Sequence, residues 1–268
     1  MSKLQRIFSK TQWITRILST MMVGLLTACN SGSNMKAEDF FNPDMTTLLK
    51  NIQRGDRFAA EQQLNNGLDL NVHGDEGITP LFLLLLKQDS TAVKLALELG
   101  ADPNFTATDG AHPVPMMTGN DTIELLKLLL EYGGDANAVD RNGDPAIFDA
   151  IGMGAWDEIE LLVNYEADLN KVNLAGKNSA LDAASLNKFE TVFRLINLGA
   201  NYHQPSKGGA TLANVLNRKL ESDLINKNGT SYKWALKLKE LLIEKGINFP
   251  PLSPPEVRER LAKELPIN

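Results

Sequence analysis

The 268-residue sequence predicts an all-α solenoid of stacked helix–turn–helix–hairpin units with an extended C-terminal unit. Three observations predict it. Gly77, Gly110, Gly143, Gly176 and Gly209 recur at intervals of 33 residues, and self-similarity at a fixed period of this size marks a repeat architecture. A second series keeps the same interval: Gly67-Leu-Asp-Leu-Asn71, Gly100-Ala-Asp-Pro-Asn104, Gly133-Gly-Asp-Ala-Asn137, Glu166-Ala-Asp-Leu-Asn170 and Gly199-Ala-Asn-Tyr-His203. Between them lie the apolar triplets Val93/Ala96/Leu97, Leu126/Leu129/Leu130, Ile159/Leu162/Val163 and Val192/Leu195/Ile196. Their i, i+3, i+4 spacing places each triplet on one helix face. No single unit can bury such a face alone, so neighbouring units must stack into one continuous core.

The elements follow in chain order. Residues 44–71, with Leu48, Leu49 and Ile52 ahead of Gly55-Asp56, read as an amino-terminal capping repeat. In the next unit Thr79 has N-cap chemistry and Pro80 fits the first helical turn. Each Gly-Ala-Asp-x-Asn element ends a second helix at a glycine that can take positive φ, and its Asp and Asn can bond local backbone as the chain enters a hairpin. His112 stands at the Thr position of the second full unit, and Pro113 and Pro115 predict irregular geometry over 112–118. The last unit breaks the period. Gly246 follows Gly199 by 47 residues rather than 33, which places about fourteen extra residues near 216–233. The expected elements there are a lengthened first helix over 212–226, a turn at 227–230 and a second helix over 232–245. Ser253-Pro254-Pro255-Glu256 then opens a short closing helix near 254–264. Terminal repeats cap the core, so the insertion is read first as a cap and second as a partner-specific feature.

The motif Gly-x-Thr-Pro-Leu-His followed by Gly-Ala-Asp-x-Asn is the signature of ankyrin repeats, and residues 77–104 resemble it best. The resemblance covers residues 44–249, with 250–268 left as a closing helix and tail. Phe82, Pro115, Phe148, Leu181 and Asn214 replace the usual His of the motif. The resemblance implies an ankyrin-repeat solenoid whose function is to bind another protein.

Residues 1–28 divide into a basic stretch ending at Arg16 and an apolar run from Ile17 to Leu26. That run is shorter than the roughly 20 apolar residues a bilayer span needs, so it reads as a signal peptide. Leu26-Thr27-Ala28-Cys29 resembles the lipobox of bacterial lipoproteins, and Cys29 is the only cysteine of the chain. The resemblance implies acylation of Cys29, and Asn30 beside it favours the outer membrane of a Gram-negative cell, with the protein facing the periplasm. Residues 29–43 are then a lipidated Cys and tether, and the lipid is the protein's only expected membrane contact. Met21, Met22 and Met35 are potential internal starts; initiation at Met35 would give a minor cytosolic form lacking signal and Cys29 but keeping every repeat.

Composition excludes several function classes. Four of the bases lie in the first 28 residues, so residues 29–268 carry a net charge of −10. A chain this acidic lacks the basic footprint of a nucleic-acid or phospholipid-surface binder. A single cysteine rules out an intramolecular disulfide framework and a thiolate zinc cluster. The histidines are His73, His112 and His203 only. They fall in different units, with no phosphate loop, no His-Glu-x-x-His and no Gly-x-Ser-x-Gly, so neither enzyme activity nor a cofactor or metal site is expected. Acid pairs such as Asp75/Glu76 and Asp157/Glu158 read as solvated faces.

The remaining surface is the groove that the ankyrin resemblance implies, formed by hairpin tips and exposed positions of each first helix. The tips are Asp75/Glu76, Thr108/Asp109, Arg141/Asn142, Leu174/Ala175 and Lys207/Gly208, with Asp144 and Lys177 adjoining them. The helix positions are Leu86/Lys87, Gly119/Asn120, Gly152/Met153 and Ser185/Leu186. Several are small or apolar where a solvated face would carry charge, which points to binding; repeat-to-repeat packing is the other reading for Leu86 and Leu186. Trp156 and Tyr165 are either interface anchors or half-buried helix neighbours. A lipoprotein signal joined to such an array resembles immunity proteins that neutralise type VI secretion effectors, in particular a secreted phospholipase or lipase. The alternative is a periplasmic scaffold or protective partner for an envelope or antioxidant enzyme.

Overall fold

A computed structural model describes residues 35–119, 122–222 and 225–267. The signal segment, Cys29 and Asn120 lie outside the described residues. The described chain is helical, and its only pairing of strand type is an isolated bridge between Val139 and Pro145. Each repeat is a helical hairpin: α1 (Pro43–Gln53) with α2 (Arg57–Asn65), α3 (Pro80–Leu86) with α4 (Ser90–Glu98), α5 (Pro113–Met116) with α6 (Ile123–Glu131), α7 (Ala146–Met153) with α8 (Trp156–Asn164), α9 (Ser179–Ser185) with α10 (Phe189–Asn197), and α11 (Leu212–Glu221) with α12 (Thr230–Glu244). A closing helix, α13 (Pro254–Ala262), follows.

The apolar triplets do what their spacing requires. Val93, Leu126, Leu129, Ile159, Leu162, Val192 and Leu195 are fully buried in one core that runs from Ala37 to Leu242. The first helices start as their residue types dictate: Thr79 Oγ1 accepts from Phe82 N–H at 3.1 Å, and Asn178 and Thr211 cap α9 and α11 from the same repeat phase. Second helices end at Gly67, Gly100, Gly133 and Gly199, all with φ between 91° and 102°, and at Glu166 with φ 64°.

The Asp and Asn of each hairpin do more than the expected local bonding. Asp102, Asp135 and Asp168 each accept from the backbone N–H two residues on at 2.8 Å. The asparagines reach across to the next unit. Asn71 Nδ2 donates to Gly100 O at 3.0 Å while its Oδ1 accepts from Asp102 N–H at 2.7 Å, and Asn104 and Asn137 repeat both bonds one unit later. These side chains satisfy helix-end carbonyls and lock the stacking register in the same step.

Three expectations differ from the structure. The fold begins before residue 44: Ala37 is buried in a 3₁₀ turn, Phe40 and Phe41 pack on the core, and Asp75 N–H donates to Phe40 O at 2.7 Å. Apolar Met35, Phe40 and Phe41 supply a surface that seals the open end of the stack, so residues 35–43 are not tether. In the last unit the first helix stops at Glu221 rather than 226. α11 has ten residues and α12 fifteen, against seven and nine in the preceding hairpin, so the second helix takes the largest share of the insertion. Glu158 is not on a solvated face: it is 3% exposed, and its carboxylate accepts from Gly119 N–H at 2.6 Å. The prolines of α5 leave only four helical residues there, and Glu158 from the following unit holds the loop that replaces the lost turn.

Candidate protein-binding groove

Hairpin tips and first helices come together on one face because each tip lies on the next. Thr108 N–H donates to Gly77 O at 3.1 Å, and Lys207 N–H to Ala175 O at 2.9 Å. A Cβ on Gly143 would meet Leu174 Cγ at 2.9 Å, and one on Gly119 would meet Met153 Cγ at 3.2 Å. Gly143 has φ 76° and Gly119 φ 80°, so neither conformation nor space admits a side chain there.

The charged tips are largely engaged within the molecule. Asp109 pairs with Arg141 at 2.5 Å, which ties two units together at the rim. Asn142 donates from its backbone and side chain to Asp140, and Asp144 accepts from Asn173 Nδ2 at 2.7 Å. Lys177 stands 3.6 Å from Asp182. Asp75 and Glu76 are exposed in a 3₁₀ turn, with Glu76 at φ 64°. Lys87 is half-buried as the C-cap of α3, while Lys207 is exposed.

The apolar members are open to solvent. Met153 is 70% exposed and Leu174 71%, and Leu186 is also exposed. Leu86 is half-buried, in keeping with packing between units. Trp156 is half-buried, with its Nε1 donating to Glu160 and Arg194 lying 4.8 Å over its ring, so it braces α8 against α10. Tyr165 ends α8 as an exposed C-cap residue.

Two carboxylates of this face went unnamed in the sequence reading. Asp149 and Asp182 occupy one repeat phase on α7 and α9, 33 residues apart, and that shared phase was the available signal. Asp149 is an exposed residue, but the packed face beside it strips water from its carboxylate. This desolvation, reinforced by Asp140, Asp144, Glu158 and Asp182, pushes its pKa up to about 6. Burial raises Asp182 as well, with Lys177 opposing. At the far end an open cleft of about 410 Å³ lies between α11 and residues 251–253, lined by Asn214, Asn217, Arg218 and Ser222.

Among the described residues no group of three His, Cys, Asp or Glu side chains could hold a metal ion, and His73, His112 and His203 sit in separate units. His73 Nε2 bonds Thr106 O and the ring stacks on Phe105 at 4.7 Å, so its part is structural.

Comparison with known proteins agrees with this architecture. Residues 114–206 match the family model for ankyrin repeats in three copies. The chain is similar to the crystal structure of an ankyrin repeat domain from Acinetobacter baumannii AYE, with 21% identity and a TM-score of 0.60 over 73% of this chain and 96% of that one. It is similar also to the ankyrin repeat protein EF0377, with 22% identity and a TM-score of 0.58 over 72% of this chain and 96% of that one. A comparison with curated proteins finds no match. The fold is therefore an ankyrin-repeat solenoid, an architecture that points to a protein partner.

Proposed function

We propose that the chain is a periplasm-facing lipoprotein that binds and neutralises a type VI secretion phospholipase or lipase effector through the tip face of its repeats. The observation that carries the binding site is the exposure of Met153 and Leu174 on a face where Arg141 with Asp109 and Lys177 with Asp182 are already paired within the molecule. Exposed apolar side chains beside satisfied charges gain more from a partner than from water. The lipobox-like Leu26–Cys29 segment supports a membrane anchor, which would concentrate the binder where an incoming lipase meets its substrate.

The test is a search for a lipase-like toxin encoded beside this chain, followed by a measurement of its stoichiometric inhibition by the wild type and by Met153→Lys/Leu174→Lys. Both positions are exposed, so helical content is expected to be unchanged while affinity falls at least roughly tenfold. Arg141→Glu is a poorer probe, since it also breaks the Arg141–Asp109 pair. Retained inhibition by the double variant places the contact elsewhere. Absence of any neighbouring toxin, with no sensitivity of the deletion strain to its kin, rejects the immunity role.

A further inference from the structure

The net acidity that argued against a phospholipid-surface contact for the chain as a whole hides a strong asymmetry, which revises that expectation for one end of the array. Residues 29–211 hold 13 Lys and Arg against 26 Asp and Glu, whereas residues 212–249 hold seven against four. The basic excess falls on the enlarged last hairpin. Because α11 and α12 pack as neighbours in one hairpin, Arg218 and Lys219 in the last turn of α11, with Glu221 beside them, lie near the start of α12, which carries Lys233 in its first turn and Lys237 at its midpoint.

Several bases elsewhere in the array are paired with carboxylates, as in Lys50–Glu38, Arg57–Glu98, Arg141–Asp109 and Arg194–Glu190, while others such as Lys94 and Lys207 stand singly among acidic surroundings. Among the described residues no carboxylate lies within ion-pair distance of Lys233 or Lys237, and Lys237 instead rests 4.4 Å over the Trp234 ring. Lys233, Leu236 and Lys237 form one outward stripe, continued by Ile243; Leu236 is 42% exposed and Ile243 51%. Glu240 and Glu244 share the C-terminal half of that stripe, so the cationic surface is its N-terminal half.

We infer that this end of the last hairpin docks on an anionic lipid bilayer. Lys233 and Lys237 supply attraction to anionic headgroups, and the exposed Leu236 between them supplies area to bury at the headgroup boundary. A nucleic-acid backbone or an acidic protein rim would use the lysines but leaves the exposed Leu236 between them without a purpose. The acidic body does not cancel the attraction, because charges more than about 8 Å from the surface are screened at physiological salt. The contact is independent of the lipase-binding role and would orient an anchored chain, turning one end of the array to the membrane.

The test is flotation of residues 30–268, which keep the whole core from Ala37 to Val257, with phosphatidylcholine vesicles containing or lacking phosphatidylglycerol. The expected result is binding to the anionic vesicles alone, weakened by salt and reduced roughly tenfold or more by Lys233→Glu/Lys237→Glu. The matched reversal Lys94→Glu/Lys127→Glu, on exposed lysines of α4 and α6, is expected to bind as wild type. The inference is overturned by failure to bind anionic vesicles, by equal binding to both compositions, or by equal losses in the two variants. It is also overturned if Lys233→Glu/Lys237→Glu weakens capture of a protein partner while vesicle binding is unchanged, which would make the surface a protein contact.

Discussion

Asp149 shows how a single side chain records the crowding of a whole face. Its carboxyl titrates near pH 6 in the fold, against an ordinary value of 3.8, because its charged form is poorly hydrated and faces Asp140, Asp144, Glu158 and Asp182. Between those two pH values the folded chain binds more protons than the unfolded one at this residue, so its contribution makes the fold less stable as pH rises through that window. Asp149→Asn is expected to raise the melting temperature at pH 7.5, to leave it unchanged near pH 3.5, and so to flatten the profile between. The gain should stay below about 1 kcal/mol, since the side chain is solvent-screened. Thermal unfolding of wild type and variant across that range checks it; an unchanged difference at all pH values would show that Asp149 is not the titrating group.

At the scale of the element, the first helices reveal what the repeat tolerates. Thr79, Asn178 and Thr211 accept from the N–H three residues on, but the equivalent His112 makes no such bond. The reason lies at Pro115, which has no N–H to offer. Burial also holds the His112 ring below the ordinary imidazole range, with Asp135 and Asp102 opposing, and its Nδ1 has no hydrogen-bond partner. Restoring the cap therefore needs both residues. His112→Thr alone is expected to change stability by less than about 0.5 kcal/mol, whereas His112→Thr/Pro115→Ala should exceed the sum of the single changes by about 1 kcal/mol. Urea titration of the four proteins measures this coupling, and additivity would refute the capping explanation. The short α5 and the loop held by Glu158 were legible as irregular from Pro113 and Pro115, but not the identity of the residue that holds the loop. Glu158 is one unit away and carries no local mark of burial.

The whole molecule is a stack with sealed ends. Residues 35–42 close one end through Phe40 and Phe41, and α13 closes the other, with Val257 fully buried and Arg258 donating to Gly208 O. Every described element thus follows residue 34, and no described helix is long and apolar enough to cross a membrane. In the function we propose, membrane attachment rests on Cys29, with the last hairpin adding an orienting contact. Cys29→Ser is expected to shift the protein from the outer-membrane fraction on a density gradient to the soluble fraction, or to stall its processing. An unchanged distribution would reject acylation at this site. A shorter soluble species that persists when Met1 is disabled would mark initiation at Met35.

The sequence by itself determined the period, the helix faces that form the core, the cap at Thr79 and the size of the last insertion, because each depends on spacing along one chain segment or on a residue's own backbone preference. Tertiary structure alone decided the rest. Which carboxylate is buried, that Arg141 answers Asp109, and that the Asn series bridges units are all relations between residues about 30 or more apart. They were out of reach because solvation and pairing are set by the neighbours that stacking brings, and a 33-residue period states that units repeat without stating what each presents to the next.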